Sequence, residues 1–149
     1  MTAYQLDKLI EQTRRLAADF REQCGQTLPV STELAHYDAA KILNLIRDES
    51  SDSGVDFIGH TSFIGEKIQV KSRVIFDNQR SGLRVGKINF DSAWDRIILV
   101  IYNSAYHPTE IYSLSRDEIL KSHDMNHARP ISVAKFRAIG EMLWSHQSV

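Results

Sequence analysis

The chain has 149 residues, 42% of them hydrophobic, with eighteen Lys and Arg against nineteen Asp and Glu for a formal net charge of −1. That length suits one soluble globular domain over residues 1–149, and the near-neutral balance excludes a protein that coats nucleic acid through an overall basic surface. A single cysteine, Cys24, excludes an intrachain disulfide; with no apolar run near the roughly 20 residues of a membrane span and no signal-peptide core, a cytoplasmic protein with no membrane partner is expected.

Leu6, Leu9, Ile10, Leu16, Ala17 and Phe20 recur at helical spacing, with Glu11, Arg14 and Arg15 between them, and predict an amphipathic helix from Tyr4 to about Gln23. Gly25 and the following Gln-Thr-Leu-Pro end it, because glycine suits a left-handed C-terminal position and Pro29 disfavours helix at Leu28. Ser31 or Thr32 is the expected cap of a second helix through about Ile46. Glu33 falls in its first turn, where the positive end of the helix dipole favours a carboxylate. Residues 1–47 therefore read as N-terminal helices.

The polar stretch from Asp48 to Gly54 changes the period from about 3.6 to 2, and sheet is expected over residues 54–114. Val55 and Phe57 alternate with Asp56 and Ile58; Ile68 and Val70 alternate with Gln69 and Lys71; Leu83, Val85 and Ile88 form a third, glycine-bounded segment. The loop Asp77–Gly82 reads as exposed and mobile. The run Ile97-Ile98-Leu99-Val100-Ile101-Tyr102 suits a strand buried on both faces, which requires helices on both sides of the sheet. A strand over Glu110–Leu114 follows a turn at His107-Pro108. Residues 115–149 read as C-terminal helices, the first opened by a Ser115/Glu118 capping box and the last, from about Val133 to Trp144, presenting Phe136, Ile139, Gly140 and Leu143 on one stripe. The fold class is α/β, with a central sheet of about five strands and helices on both faces.

The chemistry concentrates at Asp56, Gln69 and Lys71. Twelve residues separate Asp56 from Gln69, and Gln69 and Lys71 share a strand face. If the two strands are neighbours, a carboxylate, an amide oxygen and an ammonium converge. Mg²⁺ or Mn²⁺ takes such oxygen ligands together with water and phosphate, and a lysine beside it can orient the attacking water and stabilise charge on a phosphoryl group. Glu33 is a candidate second carboxylate. A plainer reading has Asp56 capping a turn or pairing with Lys71 at the surface, and Glu33 serving the helix dipole.

Asp56 followed after a strand-sized gap by Gln69-Val70-Lys71 resembles the D…(D/E)-x-K core of the restriction-endonuclease-like PD-(D/E)XK nucleases, with Gln69 where a carboxylate is usual and Val55 where proline is usual. More narrowly, residues 16 to 120 are similar to a family of small bacterial domains of that fold with a Q-x-K motif. The resemblance implies a central mixed sheet, phosphodiester hydrolysis of DNA with Mg²⁺ or Mn²⁺, catalytic roles for Asp56, Gln69, Lys71 and Glu33, and metal ligation by Asp56, Glu33 and Gln69.

From Glu66 to Lys87 there are six basic residues, Lys67, Lys71, Arg73, Arg80, Arg84 and Lys87, against two acids, Glu66 and Asp77. This local surplus makes Lys67, Arg73, Arg80, Arg84 and Lys87 candidate phosphate contacts for DNA, or else one solvated hairpin face. His123 and His127 lack an HExxH motif or a cysteine pair and read as surface residues. A homodimer is expected, because cutting two strands needs two sites, with Phe20 and Leu143 in the outer helices as interface candidates. The alternatives are a nuclease-like fold that binds nucleic acid without cleaving it, or a protein-interaction module.

Overall fold

The computed structural model describes residues 1–50, 54–76, 82–122 and 130–146; Arg80, His123, His127 and most of the predicted mobile loop lie outside them. Helix α1 (Ala3–Cys24) opens with a capping box in which Thr2 and Gln5 each accept from the other's backbone N–H. Gly25 closes it at φ 71°, as its lack of Cβ allows. Helix α2 (Ser31–Leu43) departs from expectation at both ends. Val30 precedes it with no side-chain cap, while the Ser31 hydroxyl lies inside the helix, 3.3 Å from the Ser72 hydroxyl of the sheet. Asn44 turns left-handed at φ 54° and ends the helix before Ile46.

Among the described residues six strands lie side by side in chain order: β1 (Ile46–Arg47), β2 (Phe57–Ile58), β3 (Lys67–Val74), β4 (Arg96–Tyr102), β5 (Pro108–Ser115) and β6 (Glu141–Ser145). The β3/β4 pair is parallel and the other neighbours are antiparallel, so this is an α/β fold on a mixed sheet. Six strands replace the expected five or so, because β1 and β6 form outside residues 54–114. Helix α3 (Arg116–Ser122) carries the anticipated capping box, with Ser115 and Glu118 bonded reciprocally at 2.9 and 3.2 Å. Helix α4 (Val133–Ile139) is shorter than predicted. At Gly140 a Cβ would stand 2.6 Å from the Phe136 carbonyl oxygen, and beyond it Glu141–Ser145 leave the helix to pair with β5. Leu143 is thus a strand residue packed against the core, not part of a helical stripe.

Leu83, Val85 and Ile88 do not form a strand. They belong to the segment joining β3 to β4, which are parallel and therefore need a long crossover. Val85, Ile88 and Trp94 are buried in this crossover beside Ile97, Leu99, Ile101 and Leu114 of the sheet, Ile119 of α3 and Phe136 of α4. The opposite face of the sheet presents Phe57, Ile68, Val70, Ile98, Val100 and Ile111 to Ala17 of α1 and to Leu34, Ala35 and Ala39 of α2. Helices thus cover both faces, and β4 is buried on each. Among the described residues no helix is long and apolar enough to cross a membrane.

Arg14 is the largest surprise of the first helix. Its spacing among Glu11 and Arg15 reads as a solvated position, yet it is 4% exposed, as is Asp38 of α2. Its guanidinium engages both carboxylate oxygens of Asp38, one at 2.8 Å, and donates to the Tyr106 carbonyl at 2.9 Å. The hydroxyl of Tyr102, on β4, donates to Asp38 at 2.6 Å. Burial alone would lower the Arg14 pKa, but the Asp38 charge and hydrogen bonds outweigh it and raise the value. Removing one member of such a buried pair leaves the other charge uncompensated, whereas replacing all the polar members does not. Arg14→Met is expected to cost about 3–5 kcal/mol in urea denaturation. The triple replacement Arg14→Met, Asp38→Leu, Tyr102→Phe is expected to recover most of that loss; equal destabilisation of the two variants would contradict this account.

Candidate active site

Strand β2 pairs with β3 through only two residue pairs, Phe57 with Ile68 and Ile58 with Lys67. One residue earlier a side chain takes over from the ladder. The Asp56 N–H donates to the Ile68 carbonyl at 2.8 Å, and Asp56 Oδ2 accepts the Val70 N–H at 2.8 Å. The carboxylate therefore lies at the margin of the sheet, tied to the backbone of the strand that carries Gln69 and Lys71. From the α2 side, His36 Nε2 comes within 3.6 Å of the same oxygen, at ion-pair rather than full hydrogen-bond distance, and its ring stands edge-on to Phe57. Burial would raise the Asp56 pKa, but the contacts with His36 and the Val70 N–H, together with the Lys71 charge, hold it below the ordinary carboxylate value.

Alternation along β3 turns Ile68 and Val70 toward α2, and Gln69, Lys71 and Arg73 toward the crossover. Gln69 Nε2 donates to the Gly54 carbonyl at 2.9 Å, two residues before Asp56. Gly54 sits at φ 79°, and a Cβ there would meet Ser92 at 2.6 Å, so glycine is required on both counts. The donor contact fixes the amide orientation and leaves Gln69 Oε1 buried, with no hydrogen bond from the described residues. The half-buried Lys71 amine donates to the Lys87 carbonyl at 2.9 Å. Burial lowers its pKa, with the Asp56 charge acting in opposition. Asp56 is thus bonded to the backbone of the strand that carries Gln69 and Lys71, and Gln69 reaches the segment that leads into Asp56.

Glu33 is exposed on the first turn of α2, the position suited to the helix dipole. Among the described residues no three His, Cys, Asp or Glu side chains are grouped to hold a metal ion, so Glu33 does not join Asp56 and His36 in one cluster. The residue that α2 brings to Asp56 is His36, one turn further on. Its only sequence signal is the i, i+3 spacing from Glu33, which places both on neighbouring helix positions. Tyr37, the next residue on this helix, accepts from Lys41 at 3.5 Å.

The basic residues divide. Arg73 donates to the Arg84 carbonyl, at 2.8 Å from Nε, and Arg84 Nη1 donates to the Pro130 carbonyl at 2.8 Å. Lys71 and Arg73 thus pin the crossover backbone to β3, and Arg84 ties the crossover to the segment before α4. Arg84 and Lys87 remain exposed, while Lys67 is half-buried with its backbone N–H bonded to Asp95 at 2.8 Å.

No protein-family model matches the chain, and no curated protein matches it.

The lowered Asp56 pKa has a definite sign in stability. Its charge stabilises the fold above the ordinary carboxylate value of 3.8, and that contribution is lost as pH falls through the lower folded-state value. Urea denaturation should find Asp56→Asn less stable than wild type at pH 7. The gap should narrow as pH is taken below 3.8; a gap that stays constant over this range would refute the charge contribution.

Proposed function

We propose that this chain is a metal-dependent nuclease of restriction-endonuclease-like fold that hydrolyses phosphodiester bonds in DNA. One observation carries the reading: the Asp56 carboxylate is tied through the Val70 N–H to the strand that bears Gln69 and Lys71, while a buried oxygen of Gln69, on the same strand face as Lys71, accepts no hydrogen bond from the described residues. The architecture supports it as well, with a helix packed on an antiparallel β2–β3 pair and a parallel β4 beside the strand that bears Gln69 and Lys71.

The donor set fits a hard divalent cation. Among the described residues the Val70 N–H and His36 meet the Asp56 carboxylate at Oδ2, so Oδ1 is the oxygen assigned to the cation, and Gln69 supplies the neutral Oε1. Mg²⁺ or Mn²⁺ is commonly held by one or two protein oxygens, with water and substrate phosphate completing the shell. When bound, such an ion polarises a phosphoryl oxygen and lowers the pKa of water. Asp56 and Gln69 hold it. Lys71, whose partial burial eases loss of its proton, orients the attacking water and stabilises charge developing on phosphorus-bound oxygen. Its bond to the Lys87 carbonyl fixes the direction of the amine. Arg84 and Lys87, exposed on the crossover, supply contacts to the phosphate backbone. Glu33 is not required by this arrangement.

A second reading, a nuclease-like fold that binds nucleic acid without cleaving it, draws on the exposure of Glu33 and the engagement of the Lys71 amine by a backbone carbonyl. Incubation of the protein with duplex and single-stranded DNA in Mg²⁺ or Mn²⁺ separates the two. The nuclease reading expects cleavage that Asp56→Ala and Lys71→Ala each reduce by at least ~100-fold. It also expects Arg84→Ala and Lys87→Ala each to weaken DNA binding and to lower the slope of its salt dependence by about one unit. Salt-dependent binding with no cleavage under any of these conditions would leave the second reading; absence of both would exclude the two together.

A further inference from the structure

Resting on that reading, we propose that His36 is the positioning residue for Asp56, fixing the carboxylate so that Oδ1 is presented to the divalent cation. An aspartate carboxylate rotates about a broad, two-fold χ2 torsion, and a single hydrogen bond to one oxygen leaves it free to swivel. Asp56 Oδ2 is instead met from two elements: it accepts the Val70 N–H of β3 at 2.8 Å, and His36 Nε2 of α2 lies 3.6 Å away, at ion-pair distance. Both contacts fall on one oxygen, and the other is assigned to the cation. His36 is itself restrained. Its side chain is 17% exposed, its ring packs edge-on against Phe57 at 5.5 Å between centroids, and its neighbours Leu34, Ala35 and Ala39 are buried against the sheet. A residue that orients a metal-binding carboxylate from the next shell outward typically contributes 10–100-fold in metal affinity.

His36→Leu removes the polar nitrogen while retaining an apolar contact with Phe57, and His36→Gln retains an N–H in the place of Nε2. Manganese titration of each purified protein by calorimetry, without DNA, reads the role apart from turnover. Thermal unfolding of the same samples registers any general loss of structure. The proposal expects Mn²⁺ affinity about 10–100-fold weaker in His36→Leu, and near the wild-type value in His36→Gln, with both variants folded. Equal affinity in His36→Leu and wild type overturns the positioning role while leaving the nuclease reading intact. Equal weakening in Leu and Gln also overturns it, since the nitrogen would then not be what matters. A wild-type protein that binds no Mn²⁺ overturns the nuclease reading, and this role with it. If His36→Leu does not fold, the comparison of His36→Gln with His36→Phe, which keeps an aromatic ring against Phe57, carries the same expectations.

Discussion

The buried Arg14–Asp38 pair is the constraint around which one side of the molecule is arranged. Two charges removed from water are tolerated only where nearly every polar atom is satisfied. Asp38 binds the guanidinium through both oxygens and takes a third hydrogen bond from Tyr102, while Arg14 also reaches the Tyr106 carbonyl and, through Nε, Glu11 at 3.0 Å. Those partners come from α1, α2, β4 and the turn after β4, so satisfying them sets how these elements meet. Tyr106 reaches its place at φ 60° in a turn stapled by Asn103, whose side chain accepts from the Ala105 and His107 N–H groups. The geometry required by one ion pair therefore extends into the backbone of the loop beside it. It also places His36. Asp38 anchors α2 toward α1 and β4, and two residues earlier the same helix carries His36 to the Asp56 carboxylate.

On the other face the organising element is the polar row of β3. A strand beside the central one would ordinarily be apolar on both sides, yet Gln69, Lys71 and Arg73 follow one another along one face. Each meets a backbone carbonyl: Gly54, Lys87 and Arg84 respectively. These carbonyls belong to the segments that precede β2 and join β3 to β4, so the row ties both segments to the sheet. Arg116 acts likewise from the start of α3, donating to the carbonyls of Ser92 and Trp94 at 2.9 and 2.8 Å while stacking over the Trp94 ring. The crossover is thus held partly by buried apolar residues and partly by cations on carbonyls. The same cations that form a basic band in the sequence include several that are committed to this internal work, and among its described residues the exposed charge is left to Arg84 and Lys87.

Legibility followed the range of the interaction. The buried run Ile97–Tyr102, the Ser115/Glu118 capping box and the glycine end of α1 are local signals, and each is present in the structure. The shared face of Gln69 and Lys71, and the placing of Asp56 beside their strand, were legible because strand alternation and one antiparallel pairing suffice to produce them. Leu83, Val85 and Ile88 misled because alternation reports only which side chains are buried; here they are buried by packing a crossover on the sheet, without strand pairing. The stretch from Val133 misled in the opposite sense. Its apolar residues continue at helical spacing past Gly140, but the free edge of β5 offers backbone partners that the helix does not.

The sequence by itself determined the alternation of α and β elements, the doubly buried strand and the candidate residues of the site, since these depend on periodicity, capping and turn chemistry within a few residues. Tertiary structure decided which of the helix residues reaches Asp56. Glu33 and His36 are neighbours on α2, and only the angle at which Arg14, Asp38 and Tyr102 dock that helix against the sheet brings the imidazole, and not the carboxylate, to the end of β2. It also decided that Arg14 is buried and that Gln69 keeps one buried oxygen without a hydrogen bond from the described residues. Each of these outcomes joins residues far apart in the chain, where spacing carries no information and only the packed fold sets distance.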